Sequence, residues 1–340
     1  MPEIESYTFT EPLVSVMTPF YNTEEYLAEC IESVLKQSYQ NWEYILVNNC
    51  STDRSLEIAN SYAGRDSRIR IVTNECFLSQ VQNYNGALRL ISLQSKYCKI
   101  VQADDWIFPN CLMEMVRVAE SNPSVGIVGA YRLDDVKVNC DGLPYPSTVV
   151  PGHEICRLSL LKEFDAFGSA TTILFRSDII RSRKPFYNES SRHEDTEACF
   201  EILRSCDFGF VHQVLTFTRR ENESISTLIR KFDPYHLLGR FTILLNYGHY
   251  YLSEGEYEKL FRIDEKKYYR FIGERFWSNN RKQFLSYHIE GLNNIGYKLH
   301  FSKVLKFAVT TLIDFILNPK RIMRYLLRLI VGNKIHREKI

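Results

Sequence analysis

Asp104 and Asp105 stand together one residue, Ala103, after the apolar run KIVQ (99–102). A strand ending there would hold two carboxylates at the rim of a low-dielectric core, where mutual repulsion favours a bound cation. A hard ion suits them. Mg²⁺ or Mn²⁺ binds through one or two carboxylates plus substrate phosphates, whereas the lack of a nearby His or Cys cluster argues against zinc. The same aspartates could instead cap a helix starting near Pro109, and the two residues alone leave both readings open. A second acidic pair, Glu194 and Asp195, opens EDTEACFEILRS (194–205). In the first turn of a helix such neighbours diverge by about 100°, so one reacting hydroxyl meets only one of them.

Amides and arginines follow other apolar runs. TPFYN (18–22) comes after the first, NNCSTD (48–53) after the second, and Arg219 and Arg220 after FGFVHQVLTFT (208–218). No GxGxxG follows the first run and GxxxxGKS/T is absent, so a diphosphate would have to be held in another way. A cation on Asp104 and Asp105 could bridge it and offset its charge.

The elements that must position these groups are legible from periodicity. LVSVMT (13–18), YILV (44–47), IRIVT (69–73), KIVQ (99–102) and VGIV (125–128) read as strands rich in β-branched residues. Between them Leu27, Ile31, Val34 and Leu35 recur at helical spacing after Asn22 and Thr23, which can cap, and Ser51 and Asp53 precede a second helix. Alternation of this kind predicts an α/β fold with a largely parallel sheet, in which ligands bind at the carboxyl ends of the strands. Residues 134–152 read as a loop, ATTILF (170–175) and FGFVHQVLTFT (208–218) as strands, and 194–205 as a helix. After about Asn222 the strand signals fade and the remainder reads as helical.

Composition narrows the class. A net charge of +1 gives no reason to expect nucleic acid as a partner. Nine cysteines without CxxC pairs fit neither a disulfide framework nor a zinc site, which predicts a reducing, cytoplasmic setting. The 21 Tyr and 21 Phe could line a carbohydrate pocket or simply fill the core. The start of the chain carries no basic stretch followed by an apolar run, and no stretch has the length of a clean membrane span.

The run from PLVSVMTPFYNTEEYLAECIESVLKQSYQNWEYILVNNCSTDRS through QNYNGALRL to YCKIVQADDWIFPNCLMEMV resembles a family 2 glycosyltransferase of the GT-A fold, over roughly residues 12–225. HEDTEACFEILRSCDFGFVHQVLTFTRRENESIS (193–226) continues it. The resemblance implies a mixed, mostly parallel α/β sheet flanked by helices in residues 1–225, followed by a helical C-terminal region in 226–340. It implies an inverting transfer from a nucleotide-diphosphate sugar, a UDP-sugar foremost, to an acceptor hydroxyl, dependent on Mg²⁺ or Mn²⁺. Thr18, Pro19 and Asn22 would lie beside the nucleoside, and Asn49 takes the place of a base-reading Asp. Asn83 would help hold the donor, and Arg219 or Arg220 would steady phosphate. Asp104 and Asp105 match the metal and diphosphate motif, with Asp105 the direct ligand. Asp195 matches the base, with Glu194 and Trp106 on the acceptor side, Trp106 as a packing wall. Two departures stand out: VNNCSTD replaces the usual VDDGSTD, and Gln102 stands where relatives have an aspartate.

The last segment pairs apolar runs with basic charge: Lys320, Arg321, Arg324, Arg328, Lys334, Arg337 and Lys339 face only Glu338. One reading is peripheral attachment to the inner face of a membrane, and the other a helix pair packed on the body. The acceptor expected from the resemblance and this tail is a surface polysaccharide or a lipid-linked saccharide. The rival reading is a non-catalytic nucleotide-sugar-binding or scaffold protein of the same fold, suggested by the amides at Asn48 and Asn49.

Overall fold

The computed structural model describes residues 11–162, 164–220 and 231–318. The chain divides into two compact units, Met1–Thr227 and Leu228–Ile340.

The first unit is built on one sheet. Strands β1 (Val14–Phe20), β2 (Trp42–Asn48), β3 (Ile69–Thr73) and β4 (Tyr97–Ile100) pair in parallel, with β1 between β2 and β4. Their side chains explain the placement: β1 is buried along its whole length, as expected for a central strand covered on both faces. The second half holds β6 (Val125–Asp134) and β10 (Asp207–Thr218), parallel to each other. β9 (Leu174–Arg176) lies between β4 and β6, antiparallel to both. It therefore joins two parallel halves that point the same way.

Short antiparallel strands finish the sheet. β5 (Trp106–Ile107) and β8 (Val149–Val150) pair with β10, and β7 (Lys137–Asn139) pairs with β6. Helices α1 (Leu27–Leu35), α2 (Ser55–Ala63), α3 (Gln80–Leu88), α4 (Cys111–Ser121), α5 (Gly152–Lys162), α6 (Ser177–Ser182) and α7 (Glu194–Ile202) connect the strands. In α1, Leu27, Cys30, Ile31 and Val34 are buried at the expected i, i+3, i+4, i+7 spacing.

Three sequence expectations change. The cap of α1 is Tyr26, while Asn22 adopts a left-handed conformation (φ 50°) and Oδ1 accepts from the Thr52 N–H at 2.8 Å. It ties two loops together rather than starting a helix. Within ATTILF, Ala170–Thr172 forms a 3₁₀ turn capped reciprocally by Ser169 and Thr172, and the buried Lys99 amine donates to the Thr171 and Ile173 carbonyls. Residues 134–152 contain β7 and β8, whose two or three residues are too few to show a period.

The second unit is helical where described: α8 (Leu237–Tyr251), α9 (Glu254–Arg275), α10 (Arg281–Asn294) and α11 (Phe301–Leu317). Its core gathers Leu238, Phe241, Tyr268, Ile272, Phe284 and Leu292. The wholly buried Asp233 accepts from the Leu237 and Leu238 amides at 2.8 and 2.9 Å and so starts α8. Among the described residues no helix is long and apolar enough to cross a membrane. The basic tail, from Lys320 onward, lies outside the described residues.

Candidate active site

The parallel strands all end on one edge of the sheet, and the polar groups singled out from sequence follow those ends. After β1 come Tyr21 and Asn22, at the end of β2 Asn48 and Asn49, after β4 Asp104 and Asp105, and after β10 Arg219 and Arg220. Thr18 and Pro19 sit inside β1. Thr18 is wholly buried and its hydroxyl donates to the Val101 carbonyl (2.8 Å). It is therefore a strand-to-strand tie beneath the edge.

Asp105 is buried, whereas Asp104 beside it is half-buried. Asp105 accepts from the Thr218 hydroxyl at 3.1 Å and from the Arg219 backbone N–H at 3.2 Å. Burial, and next the Asp104 charge, push its carboxyl up to about 7, against the pull of hydrogen bonds from Thr171, Arg219 and Thr218. A buried carboxylate beside a second, half-buried one is disfavoured in its charged form, and a cation bound there would relieve that cost. That fits a hard divalent cation, which needs only one or two protein carboxylates when phosphates supply the other oxygens. Among the described residues no group of three or more His, Cys, Asp or Glu forms a fuller cage.

Arg219 stands over this pair. Its Nε donates to the Asp104 carbonyl (3.3 Å), its Nη2 pairs with Glu29 (2.6 Å), and its guanidinium lies 4.7 Å from the Tyr26 ring. Arg220 turns to Asp134 (2.6 Å), which also binds the buried Arg132 (2.6 Å). The two arginines thus separate, one toward the aspartate pair and one into an ion-pair network. Trp106 stacks on Phe217, centroids 4.8 Å apart and nearly coplanar at 14°.

Glu194 and Asp195 occupy the first turn of α7, both half-buried. Burial and then the Asp195 charge raise Glu194 to about 7, and burial raises Asp195, opposed in part by Arg132. Asp195 Oδ1 accepts from the Thr196 N–H at 2.7 Å. The Tyr84 hydroxyl, pushed up chiefly by burial, also feels the charges of Asp104 and Glu194. Tyr187 feels Asp195 and Glu194, and its buried hydroxyl finds no hydrogen-bond partner among the described residues. Asn85 ties Tyr187 to α3 through both of its backbone groups, at 2.8 and 2.9 Å.

Asn83 is buried and accepts from Asn74 Nδ2 at 2.9 Å. Sequence reasoning missed Tyr84, Tyr187, Thr171, Thr218, Asn74 and Arg132. A Tyr or Thr after an apolar run carries no signal of its own, and their partners lie far away in the chain.

A model of Glycosyl transferase family 2 matches residues 15–183. Glycosyltransferase GlyG of Streptococcus pneumoniae serotype 4 is 32% identical over 228 residues, 63% of this chain and 72% of the relative. The chain belongs to glycosyltransferase family 2. Its fold is the GT-A fold of solved members. Staphylococcus aureus TarS 1-349 in complex with UDP-GlcNAc superposes with a TM-score of 0.59 at 16% identity, covering 83% of this chain and 81% of that one. Mannosyltransferase PcManGT from Pyrobaculum calidifontis, in complex with GDP-Man and Mn²⁺, gives 0.56 at 15% identity, over 96% and 88%. Family 2 membership accounts for the order of the motifs along the chain.

Proposed function

We propose that this family 2 glycosyltransferase moves a sugar from a nucleotide-diphosphate donor, a UDP-sugar foremost, to a saccharide or lipid-linked saccharide hydroxyl with inversion. The observation that carries the proposal is the Asp104–Asp105 pair after β4, at the carboxyl edge of the sheet, with Asp105 held by Thr218 and Arg219. The solved complexes of TarS with UDP-GlcNAc and of PcManGT with GDP-Man and Mn²⁺ support it.

Asp104 and Asp105 would hold Mg²⁺ or Mn²⁺, which supplies charge neutralisation to the departing diphosphate. Asp105, held by Thr218 and Arg219, would be the direct ligand, with the more exposed Asp104 sharing the cation and the diphosphate. Arg219 adds a positive charge on the same side. Asp195 takes the acceptor hydroxyl proton as that oxygen bonds to the anomeric carbon and the bond to the diphosphate breaks. A single displacement inverts the anomeric centre. The carboxyl of Asp195, raised by burial, favours proton uptake.

The amides at Asn48 and Asn49 favour one second reading, a donor-binding protein without turnover. Thermal shift with UDP-, GDP- and dTDP-sugars in Mn²⁺, followed by assay of donor hydrolysis, decides between them. A stabilising shift with slow hydrolysis supports the transferase, a shift without hydrolysis supports the second reading, and no shift with any donor refutes both.

We also propose that α11 rests on an anionic lipid surface. Phe301, Leu305, Val309, Leu312, Ile313 and Ile316 are exposed along it, while Val304 and Ala308 are buried within the second unit. Lys306 is exposed on this helix and the basic tail follows it in sequence.

A further inference from the structure

Asn49 is 3% exposed, and its side chain is committed to the segment between β3 and α3. Leu78 donates its backbone N–H to Asn49 Oδ1 (3.0 Å), and Asn49 Nδ2 donates to the Leu78 carbonyl (2.9 Å). A peptide N–H only donates and a peptide carbonyl only accepts, so this exchange fixes which end of the amide is the oxygen. The second lone pair of Oδ1 takes an N–H from Asn74 (2.9 Å), whose other N–H goes to Asn83. Asn74 is also held by its backbone. Its N–H donates to the Asn48 carbonyl (3.0 Å), and its carbonyl accepts from Cys50 Sγ (3.3 Å).

The segment is thus pinned at Asn74 and Leu78, and Ser79 then caps α3 in a reciprocal pair with Gln82. Between the pins Phe77 stands 60% exposed, edge-on to Tyr21 with centroids 4.7 Å apart. An amide oxygen has two lone pairs, and at Asn49 both are in use. No acceptor is left there for an N–H on the edge of a base. A carboxylate at this position would accept from Leu78 and Asn74 but would repel the Leu78 carbonyl, which gives a physical reason for an amide.

We propose that Asn49 is a positioning residue that latches residues 74–78 beside the donor site, and that it does not choose the nucleobase. The proposal rests on the nucleotide-sugar reading above. Releasing the latch leaves the Leu78 N–H and carbonyl unpaired and frees the part of the chain that carries Phe77. Every base has an aromatic face, so the loss of an ordered wall weakens all nucleotides alike.

The test uses the full chain and the variants Asn49→Ala, Asn49→Asp and Asn74→Ala. Calorimetric titration with UDP, GDP, CDP and ADP, each in Mn²⁺, is read beside donor KM and kcat and hydrogen exchange over residues 74–79. The latch predicts that every variant weakens all four nucleotides by a common factor of about ten or more, raises KM with little change in kcat, and speeds exchange at Leu78. A gain of UDP over GDP by about tenfold in Asn49→Asp would mean that position 49 reads the base, and would overturn the proposal. So would unchanged exchange at Leu78 in Asn49→Ala. Should that variant not fold, Asn74→Ala, which removes one bond to the same oxygen, carries the same comparison. Failure of the parent chain to bind any nucleotide refutes the donor reading instead, and exchange at Leu78 still judges the latch.

Discussion

Asp195 and Glu194 share a helical turn but not an environment. Asp195 faces Arg132 and Asp165 and is tied to the Thr196 N–H, whereas Glu194 feels Asp195 and Glu197. As the proposed proton acceptor, Asp195 should matter most: Asp195→Asn is expected to lower turnover by about a hundred- to ten-thousand-fold with donor affinity nearly intact, and Glu194→Gln less. Steady-state kinetics with separate donor titration checks this, and the opposite ranking would reverse the roles. Protonation gives a second expectation. Asp105 and Glu194 hold their protons to about 7, against about 4 in an unfolded chain. At these two sites the folded chain therefore binds more protons between these values, so their contribution to stability is full below about pH 4 and falls as pH rises to about 7. Melting temperatures from acid to neutral pH should show that decline, and it should flatten in an Asp105→Asn, Glu194→Gln double variant. The acids and amides were legible in sequence because polar residues directly after apolar runs announce strand ends. Their partners were not: Thr218 is 113 residues from Asp105, and Tyr187 is 102 residues from Asn85.

At the scale of elements, β3 was read to the residue, Ile69–Thr73, because its bounds carry clear turn formers. β6 was cut short at Val128 although it runs to Asp134, since Gly129, Ala130 and Tyr131 weaken the apolar signal while β10 still pairs with them. Tertiary pairing there overrides local propensity. The start of α5 depends on an equally long-range fit. A methyl group on Gly152 would lie well inside van der Waals distance of the Leu203 and Cys206 carbonyl oxygens. Backbone cannot rotate away as a side chain can, so Gly152→Ala should destabilise the first unit by about 1–3 kcal/mol or more. Gly86 in α3 has nothing within 4 Å of such a methyl, and Gly86→Ala should instead stabilise by about 0.5–1 kcal/mol. Denaturant unfolding of both variants checks the contrast, and equal effects would refute the packing account.

For the molecule as a whole, the exposed ridge of α11 predicts attachment to lipid. Full-length chain should float with vesicles containing phosphatidylserine, less so as salt rises, and not with neutral vesicles. Leu305→Glu, Leu312→Glu and Ile316→Glu together alter only exposed positions and should abolish flotation while the melting temperature holds. Flotation equal to that of the parent chain would sink the idea. The sheet also has a history in time. β4 ends at Ile100, yet the strand that covers its outer side, β9, begins at Leu174. During synthesis at about 5–20 residues per second, the edge of β4 stays uncovered for several seconds. A bare, apolar strand edge invites pairing with another chain. The nascent protein is therefore open to pairing with another chain in the interval before three residues of β9 are made.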